Sequence, residues 1–195
     1  MKIHTRVNPR IANCVIFNIR NEYICKKKYL CLRLRKFYSY SLDKQGSYFN
    51  KEFSGDPWKA YEDISIRVIE QAIPFDEIIF IVADHITTPK DVKFEVNVKW
   101  RINEKLKRLG VAGVCRFDSK CNDLLQVTDL LIGAINYDLK LGTNIIIKGD
   151  KYKRRFLEYL KSNIGIKEFI DGFKNRNFNI FIDKDVRRRL PIISG

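Results

Sequence analysis

The stretch RFDSKCNDLLQVTDLLIGAINYDL, Arg116–Leu139, decides how this chain folds. Asp118 and Ser119 close an apolar strand and open a helix that is apolar around most of its circumference. Gln126, Asp129, Gly133 and Asn136 recur at i, i+3, i+7 and i+10 and share one polar stripe. Leu124, Leu125, Leu130, Leu131, Ile132 and Ile135 cover most of the remainder. A helix apolar nearly all round is a buried one, and a carboxylate inside it needs a partner. Two partners are open to Asp129: one of the many Lys and Arg side chains, or a metal ion.

The same pattern stands immediately upstream. Glu77–Ala83, EIIFIVA, is a short run apolar on both faces, which predicts a strand in the middle of a sheet covered on both sides. It ends in Asp84, at the C-terminal strand end where open α/β sheets place ligands. A helix is expected over Asp91–Leu109, with Phe94, Val98, Ile102, Leu106 and Leu109 as its apolar face and Gly110 as its stop. Val111–Phe117 then reads as a second strand, ending in Asp118. Two consecutive β–α units thus bring Asp84 and Asp118 to one edge of one sheet, with Asp129 on the helix that follows.

Outside this region the chain is read more coarsely. Met1–Arg10 shows no element. Ile11–Tyr23 fits a helical face through Ile11, Val15, Ile16, Ile19 and Tyr23, and its VIFNI core fits a strand equally. Tyr29–Lys36, YLCLRLRK, alternates apolar and basic residues as a half-buried strand does, turning Arg33 and Arg35 toward solvent or phosphate. Ser39–Asp56 reads as a polar connection. Asp56 as N-cap and Pro57 in the first turn open a helix through Trp58, Tyr61, Ile64, Val68 and Ala72, stopped by Pro74. Residues 144–147 read as a short strand or extended connection, Lys151–Lys161 as a basic amphipathic helix, and Phe178–Ile182 as a last strand. Arg187, Arg188 and Arg189 form a charge cluster suited to phosphate.

Composition narrows the function classes. With 45% hydrophobic and 31% charged residues over 195 positions, the chain can bury a core and is not a disordered polyelectrolyte. No apolar run approaches the roughly 18 residues of a membrane span, and the first residues lack the apolar segment of a signal peptide. Five cysteines without CxxC spacing and only two histidines argue against a zinc cluster. Free thiols in a reducing cytoplasm are expected instead. The net charge of +14 is uneven: residues 1–50 carry +9, residues 51–139 carry −3 and residues 140–195 carry +8. An acidic centre between basic flanks suits a site that holds cations while its borders attract a polyanion, and nucleic acid, DNA or RNA, is the natural one.

Three carboxylates in one crevice repel one another unless divalent cations neutralise them, and oxygen-only donors suit Mg²⁺ or Mn²⁺. Such ions, paired about 4 Å apart, activate a water and stabilise the leaving oxygen of a phosphodiester. Ser119, Lys120 and Gln126 would then orient water or contact phosphate. For Gln126, a cap or bridge within the helix stays open.

These residues carry a resemblance. The strand ending in Asp84, then FDSK, then LLQVTDLLIGAI resembles the large, mostly prokaryotic domain-of-unknown-function family numbered 3800, which looks like part of the RNase H-like superfamily of metal-dependent nucleases. The matches are Asp84, Asp118 with Ser119, and Gln126 with Asp129. Residues 56–139 match best and residues 1–55 only loosely. The resemblance implies an α/β, RNase H-like mixed sheet with flanking helices. It also implies Asp84 and Asp129 as metal ligands, with Asp118 as a third ligand or bonded to one. One departure stands out: members begin with a strand bearing a D-x-S-G type motif, whereas the early acids here are Glu22 and Asp43, neither of which precedes Ser-Gly. The first strands are therefore expected to be missing, through a start placed downstream, a broken gene, or a split protein completed by a second chain. The expected organisation is a partial RNase H-like domain over residues 1–142 and a basic C-terminal extension, 143–195, packed on it. The expected function is a nuclease-like domain, incomplete or inactive as it stands. A non-catalytic nucleic-acid-binding module is the alternative, and a structural protein whose Asp residues cap turns and pair with Arg is a third.

Overall fold

The computed structural model describes residues 11–18, 36–84, 88–118, 120, 122–146 and 149–187. The chain is mixed α/β. Its strands are β1 (Ile11–Asn18), β2 (Lys36–Asp43), β3 (Ile79–Asp84), β4 (Val111–Phe117), β5 (Phe173–Lys174) and β6 (Phe178–Ile182). Its helices are α1 (Ser47–Phe53), α2 (Pro57–Ala72), α3 (Phe94–Leu106), α4 (Asp123–Gly142), α5 (Lys151–Ile164) and α6 (Lys184–Arg187).

Two sheets form. In one, the order is β1-β2-β6-β5, with β1 antiparallel to β2, β2 parallel to β6, and β6 antiparallel to β5. In the other, β3 and β4 run parallel, with Ile81 beside Val114 and Asp84 beside Phe117. Alternation along β2 divides the core. Tyr38 and Leu42 face α1, α2 and α3, in a cluster that also takes Ile81 of β3 and Val111 of β4. Phe37 faces the other way, with Ile180 and Ile182 of β6, against α4 and α5. Helices thus cover both faces of the four-stranded sheet, and at about 1.5–3 kcal/mol per fully buried large apolar side chain these two clusters dominate stability.

The local chemistry explains most boundaries. Asp56 caps α2 by accepting from the Trp58 and Lys59 amides, at 2.8 and 3.2 Å. Asp150 does the same for α5, at 2.9 Å from both the Tyr152 and Lys153 amides. The helix expected over residues 91–109 is shorter, Phe94–Leu106: Lys93 provides no side-chain cap, and Lys107 turns left-handed at φ 51°. Ile11–Asn18 is a strand, because it pairs along its whole length with β2. Residues 144–147 form neither a strand nor an extended connection as far as they are described, since Asn144 sits in a turn at φ 55°. The strand expected at Tyr29–Lys36 lies outside the described residues except for Lys36, which opens β2.

Two expectations are corrected. Ser39–Asp56 is not a connection: it contains most of β2 and all of α1. Ser39, Ser41 and Asp43 are polar yet buried, because β2 is flanked in the sheet by β1 and β6 and their side, shared with Phe37, faces the α4 and α5 cluster. Nor is β3 covered on both sides. Ile81 and Ala83 are buried, but Phe80 is 71% exposed, and the neighbouring Phe117 of β4 is 49% exposed.

The end of the chain closes against α1. Asp185, in α6, accepts from the Tyr48 amide at 2.7 Å and from the Ser47 hydroxyl at 3.1 Å, serving as a cap supplied from 138 residues away. Gly46, just before α1, has an ordinary φ of −76°. Its requirement is space: a Cβ there would lie 2.7 Å from the Asp185 Cβ and 2.9 Å from its Cγ. Gly46→Ala is therefore expected to destabilise by about 2 kcal/mol through overpacking. Urea denaturation would check this, and a stabilised variant would show that Asp185 moves aside freely.

Candidate functional site

Asp84 is the last residue of β3 and is buried. It lies level with Phe117 on β4, so Asp118 stands one residue further along, just past the strand. The parallel pairing therefore brings Asp84 and Asp118 to adjoining strand ends. They differ in environment, for Asp118 is exposed. Its Oδ1 accepts from the Lys120 amide at 2.9 Å, folding the carboxylate back onto its own loop. This is an Asx turn, the local alternative to a ladder that Asp readily takes.

The helix begins later than Asp118. Asn122 is its cap: the Asn122 side-chain oxygen accepts from the Leu125 amide at 3.2 Å, and its carbonyl accepts from the Gln126 amide at 3.1 Å. Gln126 is exposed and donates from Nε2 to the Lys120 carbonyl at 3.1 Å. Gln126 thus ties α4 to the loop that carries Asp118 and the exposed Lys120. Asp129, one turn on, is half-buried. The polar stripe it belongs to is mixed in depth: Asp129 and Asn136 are half-buried, each with one side-chain oxygen shut off from solvent, and Gln126 is exposed. Gly133, in the same stripe, is exposed, and a Cβ added there would meet nothing within 4 Å. The buried side of α4 is instead its Leu125, Leu131, Ile132, Ile135 and Leu139 face.

The remaining expected site residues are Ser119, Arg33 and Arg35, which lie outside the described residues. Among the described residues, no three His, Cys, Asp or Glu side chains come together as a group that could hold a metal ion. Asp84 and Asp118 stand at adjoining strand ends and Asp129 on the helix that follows, and the three do not form such a group.

A second acidic border was not read from the sequence. β2 and β6 are parallel, so Asp43 at the end of one and Asp183 just past the other lie side by side, and the Asp183 amide donates to the Ser41 carbonyl at 2.9 Å. Asp43, Asp183 and Asp185 are all buried. Burial, and then the charge of Asp185, push the Asp183 carboxyl above its ordinary value. Burial, and then the Asp183 charge, push the Tyr40 hydroxyl up to about 12. Asp43 Oδ1 accepts from the Gln45 amide at 2.9 Å, and Asp185 caps α1. The cluster closes turns. Its only sequence signal was the recurrence of Asp after an aromatic-rich strand, which is too common to assign.

Beyond the acids, the face of β3 and β4 holding Phe80, Cys115 and Phe117 is open to solvent. Among the described residues, no helix is long and apolar enough to cross a membrane. Comparison with known proteins finds no matching family model, no matching curated protein and no matching solved structure.

Proposed function

We propose that this chain is an RNase H-like, nuclease-related domain of the cytoplasm that binds nucleic acid, DNA or RNA, and does not cleave it unaided. The observation that carries this reading is the level ending of two parallel strands in Asp84 and Asp118. The helix after the second strand carries Gln126 and Asp129, all within a chain of net charge +14. Parallel strand ends are where α/β folds bind ligands, and a polyanion is the partner that such a charge draws.

Cleavage would need Mg²⁺ or Mn²⁺, and among the described residues no three acids come together as a group for either. The reading assigns the ion only to an assembly in which a second chain adds an apolar strand ending in a further carboxylate. The open face of Phe80 and Phe117 beside Asp84 favours such a partner, since parallel strands are ordinarily covered on both sides.

Anisotropy titrations of labelled DNA and RNA across a salt series, with gel assays of the same strands in Mg²⁺ and Mn²⁺, test the proposal. The expected result is binding whose log affinity falls linearly with log salt, without strand scission. Binding that is absent or insensitive to salt would refute the nucleic-acid reading. Cleavage by the chain alone, abolished in Asp84→Asn and Asp129→Asn, would show instead that its own carboxylates suffice.

A further inference from the structure

The basic C-terminal helix α5 carries chemistry that the strand-end border does not use. Its aliphatic side is already occupied: Leu157 and Leu160 are buried against α4 and the end of the four-stranded sheet. Tyr152, Phe156 and Tyr159 recur at i, i+4 and i+7, which puts them on one stripe, with Phe156 at the border of the buried side and both tyrosines farther out. All three are accessible, Tyr152 at 80%, Phe156 at 36% and Tyr159 at 67%. Arg155 flanks the stripe, Lys151, Lys153 and Arg154 crowd the first turn, and all four are exposed. Glu158 is the one acid within the helix.

We infer that this outer face of α5 is a stacking platform for single-stranded nucleic acid. Exposed aromatic rings take up unpaired bases whatever their identity, because every base has a π face, while neighbouring Lys and Arg track the phosphates. The stripe covers about 10 Å of helix axis at ~1.5 Å per residue, or about three nucleotides at ~3.4 Å each. Duplex is a poorer fit, since its bases are already stacked and leave the rings without a partner. An anionic membrane surface is also a poorer fit. An interfacial helix buries a broad apolar face of Trp, Phe and Leu in lipid, and here Leu157 and Leu160 are committed to the core, which leaves Phe156 between two tyrosines. The inference deepens the nucleic-acid reading above and rests on it.

The test uses the full chain and two double variants, Tyr152→Ala with Tyr159→Ala and Tyr152→Phe with Tyr159→Phe. Both replace exposed side chains, and unchanged circular-dichroism melts establish that they fold. Anisotropy is read with a mixed-sequence single strand and with a duplex of equal length. The expected result is a preference of the unsubstituted chain for the single strand. The alanine pair should lose about 10- to 100-fold in single-strand affinity, from stacking lost at two rings. Duplex affinity and the salt slope should stay unchanged, and the phenylalanine pair should bind normally. Single-strand binding untouched by the alanine pair would overturn the platform and leave the nucleic-acid reading standing. Absence of any binding by the unsubstituted chain would overturn that reading and the platform with it. Vesicles containing phosphatidylserine provide the remaining arm: capture that the alanine pair abolishes, with no effect on oligonucleotides, would reassign the stripe to membrane.

Discussion

Asp138→Ala is expected to destabilise the protein by about 3–5 kcal/mol, the largest loss foreseen for any single substitution here. Asp138 sits on the inner side of α4 and is 9% exposed. One carboxylate oxygen forms a short ion pair with Lys161 on α5, and the other accepts from the Phe169 amide at 2.7 Å. Lys161 is itself largely buried, with its side chain 17% exposed, and Phe169 is wholly so. Removal of the carboxylate therefore strands an ammonium and a backbone N–H where water cannot replace the lost acceptor. Desolvating each costs far more than the net worth of a well-made bond.

The conservative change separates these parts. Asp138→Asn keeps an acceptor for the Phe169 amide and loses the charge, so it should fall between the parent and alanine. Lys161→Met, which leaves the carboxylate buried without its cation, should cost nearly as much as alanine. Chemical denaturation of the set checks the order, and a loss under about 1 kcal/mol in Asp138→Ala would mean that the site is open to water. The pair also has a functional consequence. It fixes the rotation of α5 about its axis by holding Lys161 inward, which leaves Tyr152, Phe156 and Tyr159 facing out.

How much of this was legible in the sequence depends on how local the cause is. β4 and β6 were read to the residue, and α2 with its Asp56 cap almost so, because their apolar runs and cap residues are adjacent in the chain. β2 was missed because its burial is set by β6, some 140 residues on. Ser39 and Ser41 look like loop residues until that pairing covers them. The polar stripe of α4 was correctly placed on one face, but its depth was not. An apolar circumference predicts burial only if something packs on every side, and Gly133 faces open space. At the strand ends, Asp84 and Asp118 fall where the two β–α units require. Their convergence on an ion could not be read from spacing, since an Asp after a strand is as well satisfied by its own loop, as Asp118 is by Lys120. The buried acids Asp183 and Asp185, and the load on Asp138, were invisible for the same reason as β2: their partners are distant in sequence.

The alignment of the candidate site rests on Asn103, and Asn103→Ala is expected to cost about 3 kcal/mol while loosening the end of β4. Asn103 lies near the end of α3, and its side chain spans the turn into β4. Its Oδ1 accepts from the Gly110 and Val111 amides, each at 2.8 Å, and its Nδ2 donates to the Val111 carbonyl at 2.9 Å. Three backbone groups at the first residues of β4 thus depend on one side chain, and Val111 is fully buried. At about 1 kcal/mol for each bond, and more where a buried group is left unsatisfied, the alanine variant loses roughly that total. Across the turn, Arg108 donates to the Glu77 and Pro74 carbonyls, both at 2.8 Å, anchoring the segment that leads into β3. These two side chains hold the starts of the parallel strands; the pairing then shifts by one residue between Ile79 and Phe80 and runs on to Asp84 beside Phe117, with Asp118 next. A slip of one residue would exchange the faces of β4, turning Val114 out of the core and separating Asp118 from Asp84. Asn103→Asp tests the mechanism, because it retains both acceptor bonds and loses only the donor. It should recover more than half of the alanine loss in a denaturation series. Amide hydrogen exchange gives the spatial readout: in Asn103→Ala, protection should fall first at Val111, Gly113 and Val114, with α5 unaffected. Equal loss in the aspartate and alanine variants would show that packing around Asn103, rather than its bonds to β4, sets the register.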